Sequence, residues 1–330
     1  MRSARSAQVR PNRADTWIVS VFTRDELARV CENEGMLFPP HVVDQLVAAV
    51  DAGKHVILTG PPGTGKTTLA YLASEVARRA MYCTGYLPTT ATTEWTTFET
   101  IGGLQPTPDG LIFRPGLFVE AIETGRWLVI DELNRSNFDR AFGQLFTVLS
   151  GSAVVLPYKR KGQSRPLSLV PAGVEPPEDS DPIRVPANWR IIATMNVFDK
   201  NLLFEMSYAL MRRFAFIEVG TPSDDSYRRL LGRPGGAIVA NLLPLRQLTD
   251  LGPAVFLDAA KYAARRSRDG VTDSRVLFEV FYAYFLPQFE GVEERRATTL
   301  YRLVAEHLDP IEQLEAQRTI ADVLSVELAV

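Results

Sequence analysis

The stretch Gly60-Pro61-Pro62-Gly63-Thr64-Gly65-Lys66-Thr67 matches the pattern G-x-x-x-x-G-K-[ST] at every position. An apolar, β-branched run at residues 55–59 precedes it, and a helical pattern at residues 68–79 follows it. In a strand–loop–helix setting, the loop N–H groups and the helix N-terminus face a phosphate. The sequence therefore predicts a phosphate-binding site from Gly60 to Thr68. Lys66 would reach the β- and γ-phosphates of a nucleotide, and Thr67 would bind Mg²⁺.

A second decisive stretch is the apolar run at residues 127–130, which ends in Asp131 and Glu132. In an open parallel sheet, ligands bind at the carboxyl edge of the strands, where these two acids would lie. Asp131 is suited to hold Mg²⁺, and Glu132 to orient or deprotonate an attacking water. The alternative is a strand that ends in a solvated acidic turn. The phosphate loop about 65 residues earlier favours the functional interpretation.

Two further patterns add candidate residues. A buried strand at residues 189–195 ends in Asn196, whose amide would contact the γ-phosphate or the attacking water at the same sheet edge. A helix at residues 207–214 ends in Arg212 and Arg213. The two arginines either form a solvated helix C-terminus, which the helix dipole favours, or reach the nucleotide of a neighbouring subunit.

Composition limits the class of protein. The chain has 330 residues, 46% hydrophobic content and a net charge of −3, as expected for a soluble globular protein with more than one domain. It lacks the overall basic charge of a nucleic-acid-binding protein. No signal peptide or membrane-spanning run is apparent, so we expect a cytoplasmic protein. Cys31 and Cys83 have no metal-type spacing and are expected to be reduced.

The pattern along the chain predicts three parts: an arm and helix at residues 1–35, an α/β nucleotide-binding domain at 36–220, and an all-helical domain at 221–330. Within the middle part we expect a hairpin at residues 101–113 and one helix at 138–149. An excursion at residues 151–187 would carry a basic tip at 158–161 and a mobile acidic loop at 175–181. The tip either contacts a polymer or is a solvated loop.

Together these motifs resemble those of AAA+ ATPases, most of all the MoxR and McrB branch, which is related to dynein motor modules. Residues 60–67 match Walker A, residues 129–135 match the Walker B of this branch, and residues 193–196 match sensor 1. Residues 113–118 match the segment after the hairpin inserted in helix 2. Asp199 followed by Lys200 resembles the M-N-x-x-D-[RK] extension of McrB-like members. The resemblance covers about residues 36–290.

The resemblance also implies arginines that act on the nucleotide. Residues 209–214 resemble the A-L-R-R-R-F helix end that supplies an arginine finger to the next subunit. Met211 replaces the first of those arginines, so Arg212 and Arg213 both remain candidates. Arg275, at the start of a helix in the C-terminal part, is the best match to the sensor 2 arginine of the lid.

The resemblance implies an α/β P-loop NTPase with a parallel sheet in the order 5-1-4-3-2, a C-terminal all-helical lid and a homo-oligomeric, hexameric ring. The implied ligands are ATP and Mg²⁺. Residues 197–198 and 200–201 depart from the usual McrB residues, and McrB uses GTP, so GTP stays possible. Lys66, Glu132, Asn196 and one of the two finger arginines would be catalytic. The segment 38–41 is a candidate wall of the nucleobase pocket.

The predicted activity is ATP hydrolysis in a ring that remodels or translocates an unidentified protein client or partner subunit, as in MoxR-like chaperones. One alternative is the GTP-driven motor subunit of an McrBC-like restriction system, although no duplex-DNA recognition domain is expected in this chain. A nucleotide-gated scaffold with little turnover is another, but the intact Lys66, Asp131 and Glu132 argue against it. A small-molecule kinase ranks last, because it has no use for the paired arginines.

Overall fold

The structure is a computed structural model that describes residues 22–108, 110–196 and 211–328. Its strands are β1 (His55–Gly60), β2 (Gly85–Thr90), β3 (Gly102–Thr107), β4 (Gly110–Pro115), β5 (Arg126–Asp131), β6 (Val154–Val155), β7 (Leu167–Val170), β8 (Asp181–Arg184), β9 (Ile191–Asn196) and β10 (Phe214–Glu218). Its α-helices are α1 (Arg24–Asn33), α2 (Pro40–Asp51), α3 (Lys66–Arg79), α4 (Thr97–Thr100), α5 (Leu117–Glu123), α6 (Phe138–Phe142), α7 (Leu145–Leu149), α8 (Asp224–Leu230), α9 (Gly236–Ala240), α10 (Pro253–Arg268), α11 (Asp273–Val280), α12 (Glu294–Ala305) and α13 (Pro310–Leu324).

The central sheet has five strands in the order β10-β1-β9-β5-β2, and every neighbouring pair is parallel. This arrangement is the predicted order 5-1-4-3-2 and confirms the α/β P-loop NTPase fold with helices at the C-terminal end. The middle strands β1, β5 and β9 are almost wholly buried, as parallel strands covered on both faces must be. Sequence analysis could therefore recognise these three strands by their continuous apolar runs.

Apolar side chains form a separate core on each face of the sheet. One core is built around Phe118, Ile122 and Phe142, and the other around Leu27, Leu46 and the first turns of α3. Helix α1 lies within the predicted arm-and-helix part and begins after Thr23, whose hydroxyl accepts a hydrogen bond from the Glu26 N–H at 3.3 Å.

The C-terminal helices have a third core of their own, which includes Tyr227, Phe256 and Phe285. A π-helical turn (Phe281–Phe285) and a 3₁₀ turn (Leu286–Phe289) continue α11. No strand occurs in the described part after β10, in agreement with the predicted all-helical region. The boundaries at residues 35 and 220 remain predictions.

The predicted hairpin at residues 101–113 is present as the antiparallel pair β3–β4. The excursion at residues 151–187 contains more strand pairing than the sequence indicated. Strand β7 pairs antiparallel with β6 and parallel with β8, so a small three-stranded sheet occupies this region.

Part of the segment predicted as a mobile acidic loop therefore belongs to a sheet. Asp181 begins β8, and the buried Ser180 hydroxyl lies 2.9 Å from that of Ser168. The loop prediction is wrong at Asp181, because β8 pairs with β7 from that residue onward. The basic tip at residues 158–161 also contacts the rest of the domain. Tyr158 stacks on Phe113, and Arg160 forms ion pairs with Glu123 and Asp181.

The single helix predicted at residues 138–149 is also wrong. The chain forms two short helices, α6 and α7, with Gly143 between them at φ = 44°. A Cβ at this position would lie 2.4 Å from Thr97 Cγ2, so the close approach of α4 requires glycine. The first half of the predicted helix at 207–214, the Asp199–Lys200 pair and the arm at 1–21 lie outside the described residues.

Within the described ranges no helix is long and apolar enough to cross a membrane. Cys31 and Cys83 are both free thiols, as expected, and burial raises the pKa of the Cys31 thiol to about 12.

Candidate nucleotide-binding site

The loop between β1 and α3 is shaped by close backbone packing. Gly60 has φ = 146°, and a Cβ there would lie 2.2 Å from the carbonyl oxygen of Val219. Any side chain would therefore push the loop away from Val219, the residue that directly follows β10. Helix α3 begins directly after the loop, at Lys66, so its N-terminus points into the space above the sheet edge.

Lys66 folds back onto its own loop. Its Nζ donates to the carbonyl oxygens of Gly60 at 2.9 Å and of Pro61 at 2.7 Å. The side chain is buried, and burial lowers its pKa to about 8, although the nearby Asp131 carboxylate opposes that shift. The ammonium therefore lies at the loop with its charge poorly solvated, which favours contact with an anion.

Three elements meet at Asp131, the last residue of β5. Thr67 Oγ1 at the start of α3 donates to Asp131 Oδ1 at 2.7 Å, and Thr194 Oγ1 on β9 donates to the same oxygen. Thr194 Oγ1 also accepts the N–H of Glu132 at 3.1 Å. This network fixes the two consecutive acids relative to the start of α3.

Glu132 has a left-handed backbone, with φ = 52° and ψ = 47°. For a residue with a Cβ, that conformation costs on the order of 1–3 kcal/mol and is concentrated at functional sites. Its carboxylate contacts Arg135, with Oε2 2.9 Å from Nε and Oε1 3.1 Å from Nη2. The turn therefore directs Glu132 out of the sheet and beside Arg135.

These groups surround an open pocket of about 350 Å³ at the carboxyl edge of the sheet. The pocket is lined by Pro62, Gly63, Gly65, Lys66, Thr67, Thr68, Asp131, Glu132, Thr194, Asn196 and Ala254. Nine of these eleven residues are among the sequence-predicted site residues. Gly60, Pro61 and Thr64 lie behind it: the first two accept from Lys66, and Thr64 Oγ1 donates to Pro61 O at 3.0 Å.

Sequence reasoning missed Thr194 and Ala254. Thr194 lies two residues before Asn196, so the two-residue period of a strand places both on one face, and this signal was available. Ala254 comes from the start of α10, and its N–H donates to the carbonyl oxygen of Gly63 at 3.2 Å. No local pattern indicates that contact, because it depends on how the C-terminal helices pack on the loop.

Arg212 and Arg213 lie far from this pocket, just before β10. The Arg213 carbonyl accepts from His55 N at 3.2 Å, and Lys54 Nζ donates to the Arg212 carbonyl at 2.9 Å. His55 begins β1 and Gly60 ends it, so the arginines lie at the opposite sheet edge, about 20 Å from the loop at the usual rise per residue. They cannot reach the pocket of their own chain.

Arg275 also lies outside the pocket. Its Nη1 is 2.5 Å from Glu315 Oε2, and its Nε is 3.4 Å from Glu279 Oε1, within a separate groove between α11 and α13. Nothing in these contacts supports a sensor 2 role for Arg275. Phe38 does lie beside the loop, since a Cβ on Gly65 would be 3.3 Å from its ring.

The donor set at Asp131 fits Mg²⁺. A carboxylate and a hydroxyl are hard oxygen ligands, and Mg²⁺ in nucleotide sites takes one or two of these together with phosphate oxygens and waters. Among the residues that the structure describes, no cluster of three or more His, Cys, Asp or Glu could hold a metal. The protein would supply Thr67 and Asp131, and phosphate oxygens and waters would complete the coordination.

Comparison with known proteins agrees with this geometry. Residues 55–214 match the AAA domain of the dynein-related subfamily. Over 196 residues the chain is 27% identical to the EcoKMcrB subunit of the type IV methyl-directed restriction enzyme of Escherichia coli K12, covering 56% of this chain and 39% of that subunit.

Further relatives are uncharacterized proteins of Staphylococcus aureus. Those of strains bovine RF122 / ET3-1 and USA300 are each 27% identical over 190 residues, covering 58% of this chain and 64% of theirs. The match thus spans less than two thirds of each of these relatives. The motifs, the strand order and the domain match together show that the chain carries an AAA+ ATPase domain of the MoxR and McrB type.

Proposed function

We propose that the chain hydrolyses a nucleoside triphosphate, with ATP as the favoured substrate, and that it does so in a ring of identical subunits. One observation carries this proposal: Lys66, Thr67, Asp131, Glu132 and Asn196 come from three separate segments and line one pocket. Binding alone would require the loop, Lys66 and the Mg²⁺ ligands. It would not require a second carboxylate on a strained turn beside them.

The residues of the pocket have distinct roles. Lys66 exchanges its two loop carbonyls for the β- and γ-phosphates, which restores the solvation that its burial removes. Thr67 and Asp131 would hold Mg²⁺, and their present hydrogen bond would give way to it. The bound ion neutralises the charge that develops on the phosphates.

Glu132 is the residue that acts on water. Its carboxylate follows the Mg²⁺ ligand directly, so it lies beside the γ-phosphate position on the pocket wall and can orient a water and accept its proton. Asn196, at the end of β9, contributes an amide at the same wall and would hold the γ-phosphate or that water. Thr194 fixes the backbone of Glu132.

The position of the arginines supports assembly. Arg212 is exposed at the sheet edge opposite the pocket, so it can serve only a nucleotide held by another copy. Arg213 contacts Ser150 and is half-buried at the same edge. A finger supplied in trans contributes on the order of 10³–10⁵ in rate. In a ring, the arginines at one edge of the sheet could reach the nucleotide pocket at the opposite edge of the next copy. The assembly that we propose is a hexamer.

We further propose that the ring uses hydrolysis to remodel or translocate a partner macromolecule. Similarity to the EcoKMcrB subunit favours a second candidate, a GTP-driven motor subunit of a restriction system. The two candidates differ first in the nucleobase that the chain accepts, which can be measured without knowing the partner.

Steady-state phosphate release from the purified chain, with ATP and separately with GTP, over a range of protein concentrations tests the proposal. Turnover per chain that rises steeply with protein concentration supports a trans-completed ATPase. A preference for GTP favours the motor-subunit candidate. Glu132→Gln should bind nucleotide without hydrolysing it, and retained turnover in that variant would sink the assignment. No turnover with either nucleotide at any concentration would overturn the proposed function.

A further inference from the structure

The C-terminal helices contain a second cavity, the groove between α11 and α13, which has no part in the proposed function. Its volume is about 460 Å³, compared with about 350 Å³ for the nucleotide pocket, and the two share no lining residue. Both helices begin at the same end of the groove, where Ser274 Oγ is 3.2 Å from Glu312 Oε2. A volume of this size is within the range of clefts that bind ligands.

At this first end, the groove holds a cation of its own chain. The guanidinium carbon of Arg275 lies 5.2 Å from the centre of the Phe278 ring, and Nη1 is 2.5 Å from Oε2 of Glu315 on the opposite helix. An aromatic face and a carboxylate together favour a guanidinium, because the ring quadrupole and the negative charge both attract it. The first end therefore shows which chemistry the groove accepts.

The far end of the groove has the same pair of groups, a ring and a carboxylate. Tyr282 follows Phe278 by four positions, and the two rings stack with centroids 6.4 Å apart and an interplanar angle of 18°. Asp322 follows Glu315 by seven positions, or two turns of α13, so it lies on the same face about 10 Å further along. Tyr282 and Asp322 both line the groove.

The carboxylate at the far end is the one that remains free to pair with an external cation. Asp322 forms no ion pair with any residue that the structure describes, and this includes Arg318, one turn earlier on the same helix. Glu279 is already engaged, because it accepts from Arg266 Nε and Nη2 at 2.7 and 2.8 Å and from the Tyr262 hydroxyl at 3.0 Å.

The ring at the far end is exposed in an unusual stretch of backbone. Tyr282 is 51% exposed and belongs to the π-helical turn Phe281–Phe285. Such turns are rare and occur frequently at functional sites. Val323, which is 50% exposed, and Ala283 add apolar surface to the same part of the groove. A partner can therefore bury apolar surface here while it places a cation on the ring.

We propose that the far end of the groove binds an arginine side chain of a partner protein, with the guanidinium between Tyr282 and Asp322 and the apolar neighbours of that arginine packed on Val323. Three carboxylates and one guanidinium line the groove, so its charge favours a basic segment over an acidic one. Arginine is preferred to lysine, because a planar guanidinium stacks on a ring and contacts a carboxylate at two points.

Selection from a phage-displayed library of random twelve-residue peptides tests the proposal, with the full chain immobilised and no nucleotide present. Asp322→Lys serves for counter-selection, because its ammonium fills the far end with a cation of the chain. We expect the peptides that bind only the wild type to carry arginine next to an apolar residue. The proposal is overturned if no peptide distinguishes the two proteins, or if the recovered peptides are acidic or not enriched in arginine.

Fluorescence anisotropy then measures the affinity of one recovered peptide for point variants. Asp322→Asn should weaken binding about tenfold, because hydrogen bonds between charged groups are the strong ones. Tyr282→Leu, which keeps apolar contact but lacks the ring face, should weaken it about fivefold. Replacing the arginine of the peptide by uncharged citrulline should cost as much as Asp322→Asn, and the two changes together should cost little more than either alone. Additive losses would show that the arginine does not contact Asp322.

Glu306→Gln is the matched control. Glu306 directly follows α12, is exposed like Asp322, forms no ion pair within the described part of the chain and does not line the groove. The peptide should bind this variant as it binds the wild type, and melting curves establish that all variants are folded. Equal losses in Glu306→Gln and Asp322→Asn would overturn the proposal in favour of a general charge effect. The proposed hydrolysis is tested separately, because peptide binding is measured without nucleotide.

Discussion

Thr194 on β9 donates its hydroxyl proton to the carboxylate of Asp131 on the neighbouring strand β5. The same hydroxyl oxygen accepts the backbone N–H of Glu132, the residue after β5, at 3.1 Å, so one side chain holds two consecutive acids. The strands pair in register just below, where Ile130 faces Ala193. The geometry of the Mg²⁺ ligand and of the water-activating acid thus depends on a residue from another strand.

Thr194→Val should weaken catalysis while the fold is kept. Valine has nearly the shape of threonine but neither donates to Asp131 nor accepts from Glu132. Each net hydrogen bond contributes about 0.5–1.5 kcal/mol, so losing two should lower kcat roughly tenfold. Steady-state phosphate release checks this, and Thr194→Ser, which keeps the hydroxyl, should stay close to the wild type. Equal kcat for valine and threonine would show that the network does not orient Glu132.

Nucleotide affinity should fall as the pH rises through about 8. The pKa of Lys66 is about 8 in the folded chain, so its ammonium is charged at pH 7 and loses its proton between pH 8 and 9. Phosphates bind the charged form, and linkage limits the loss of affinity to about tenfold per pH unit above the pKa. Equilibrium titration with a fluorescent ATP analogue at pH 7, 8 and 9 measures this.

Lys66→Arg provides the control for that titration, because a guanidinium stays charged over the whole range. The variant is expected to bind more weakly at pH 7, since arginine does not reproduce the lysine contacts, but to show no further loss between pH 8 and 9. Parallel curves for both proteins would mean that another group causes the pH dependence.

The arginine finger can be identified by mixing variants. Arg213→Ala and Arg212→Ala are each made alone, and the finger variant should lose on the order of 10³ or more in kcat. If the arginine acts on the nucleotide of a neighbouring subunit, the Glu132→Gln subunit still has an intact arginine to donate. The arginine variant still has an intact nucleotide pocket to receive it. Mixing the two inactive proteins should then restore measurable phosphate release.

Mixing Glu132→Gln with Lys66→Ala is the matched control for that experiment. Both proteins then carry intact fingers but damaged pockets, so no active site can form and turnover should stay at background. Absence of recovery in the finger mixture, with assembly verified by light scattering, would contradict a trans arginine.

Local sequence pattern predicted the parts of the site that are continuous in the chain. The phosphate loop, the strand ending at Asp131 and the strand ending at Asn196 each combine a buried apolar run with polar residues at its end. Parallel strands present those ends at one edge, so their convergence followed from fold class alone. The strand order followed from the family resemblance and not from periodicity.

What the sequence did not reveal depends on contacts between distant segments. Thr194 binds Asp131 across 63 positions, and Gly143 breaks a helix because α4 approaches it. Arg275 was predicted as the best match to the sensor 2 arginine of the resembled family, and in the structure its side chain pairs with Glu315. Neither strand register nor helix packing is encoded within a short window.

His55 lies at the sheet edge opposite the pocket and should make the fold sensitive to acid. It begins β1, its Nδ1 accepts the Ile191 N–H at 2.9 Å, and its ring packs on Trp189 and Phe214. Burial, and then the charges of Arg190 and Lys54, lower its pKa to about 3. The imidazole is therefore neutral in the folded chain throughout the physiological range.

The sign of the effect follows from the direction of that shift. Below pH 6.5 the unfolded chain takes up a proton on His55 that the folded chain refuses until about pH 3, so the free energy of unfolding falls as the pH falls through this window. Between pH 6.5 and 5 the loss should be about 2 kcal/mol. In His55→Asn the side-chain oxygen can replace Nδ1 as the hydrogen-bond acceptor, but the amide does not titrate. Urea unfolding at pH 7 and at pH 5 measures the free energy of unfolding that each protein loses between the two conditions. The loss in His55→Asn should be smaller than the loss in the wild type by about 2 kcal/mol. Identical losses would show that His55 takes up its proton in the folded chain.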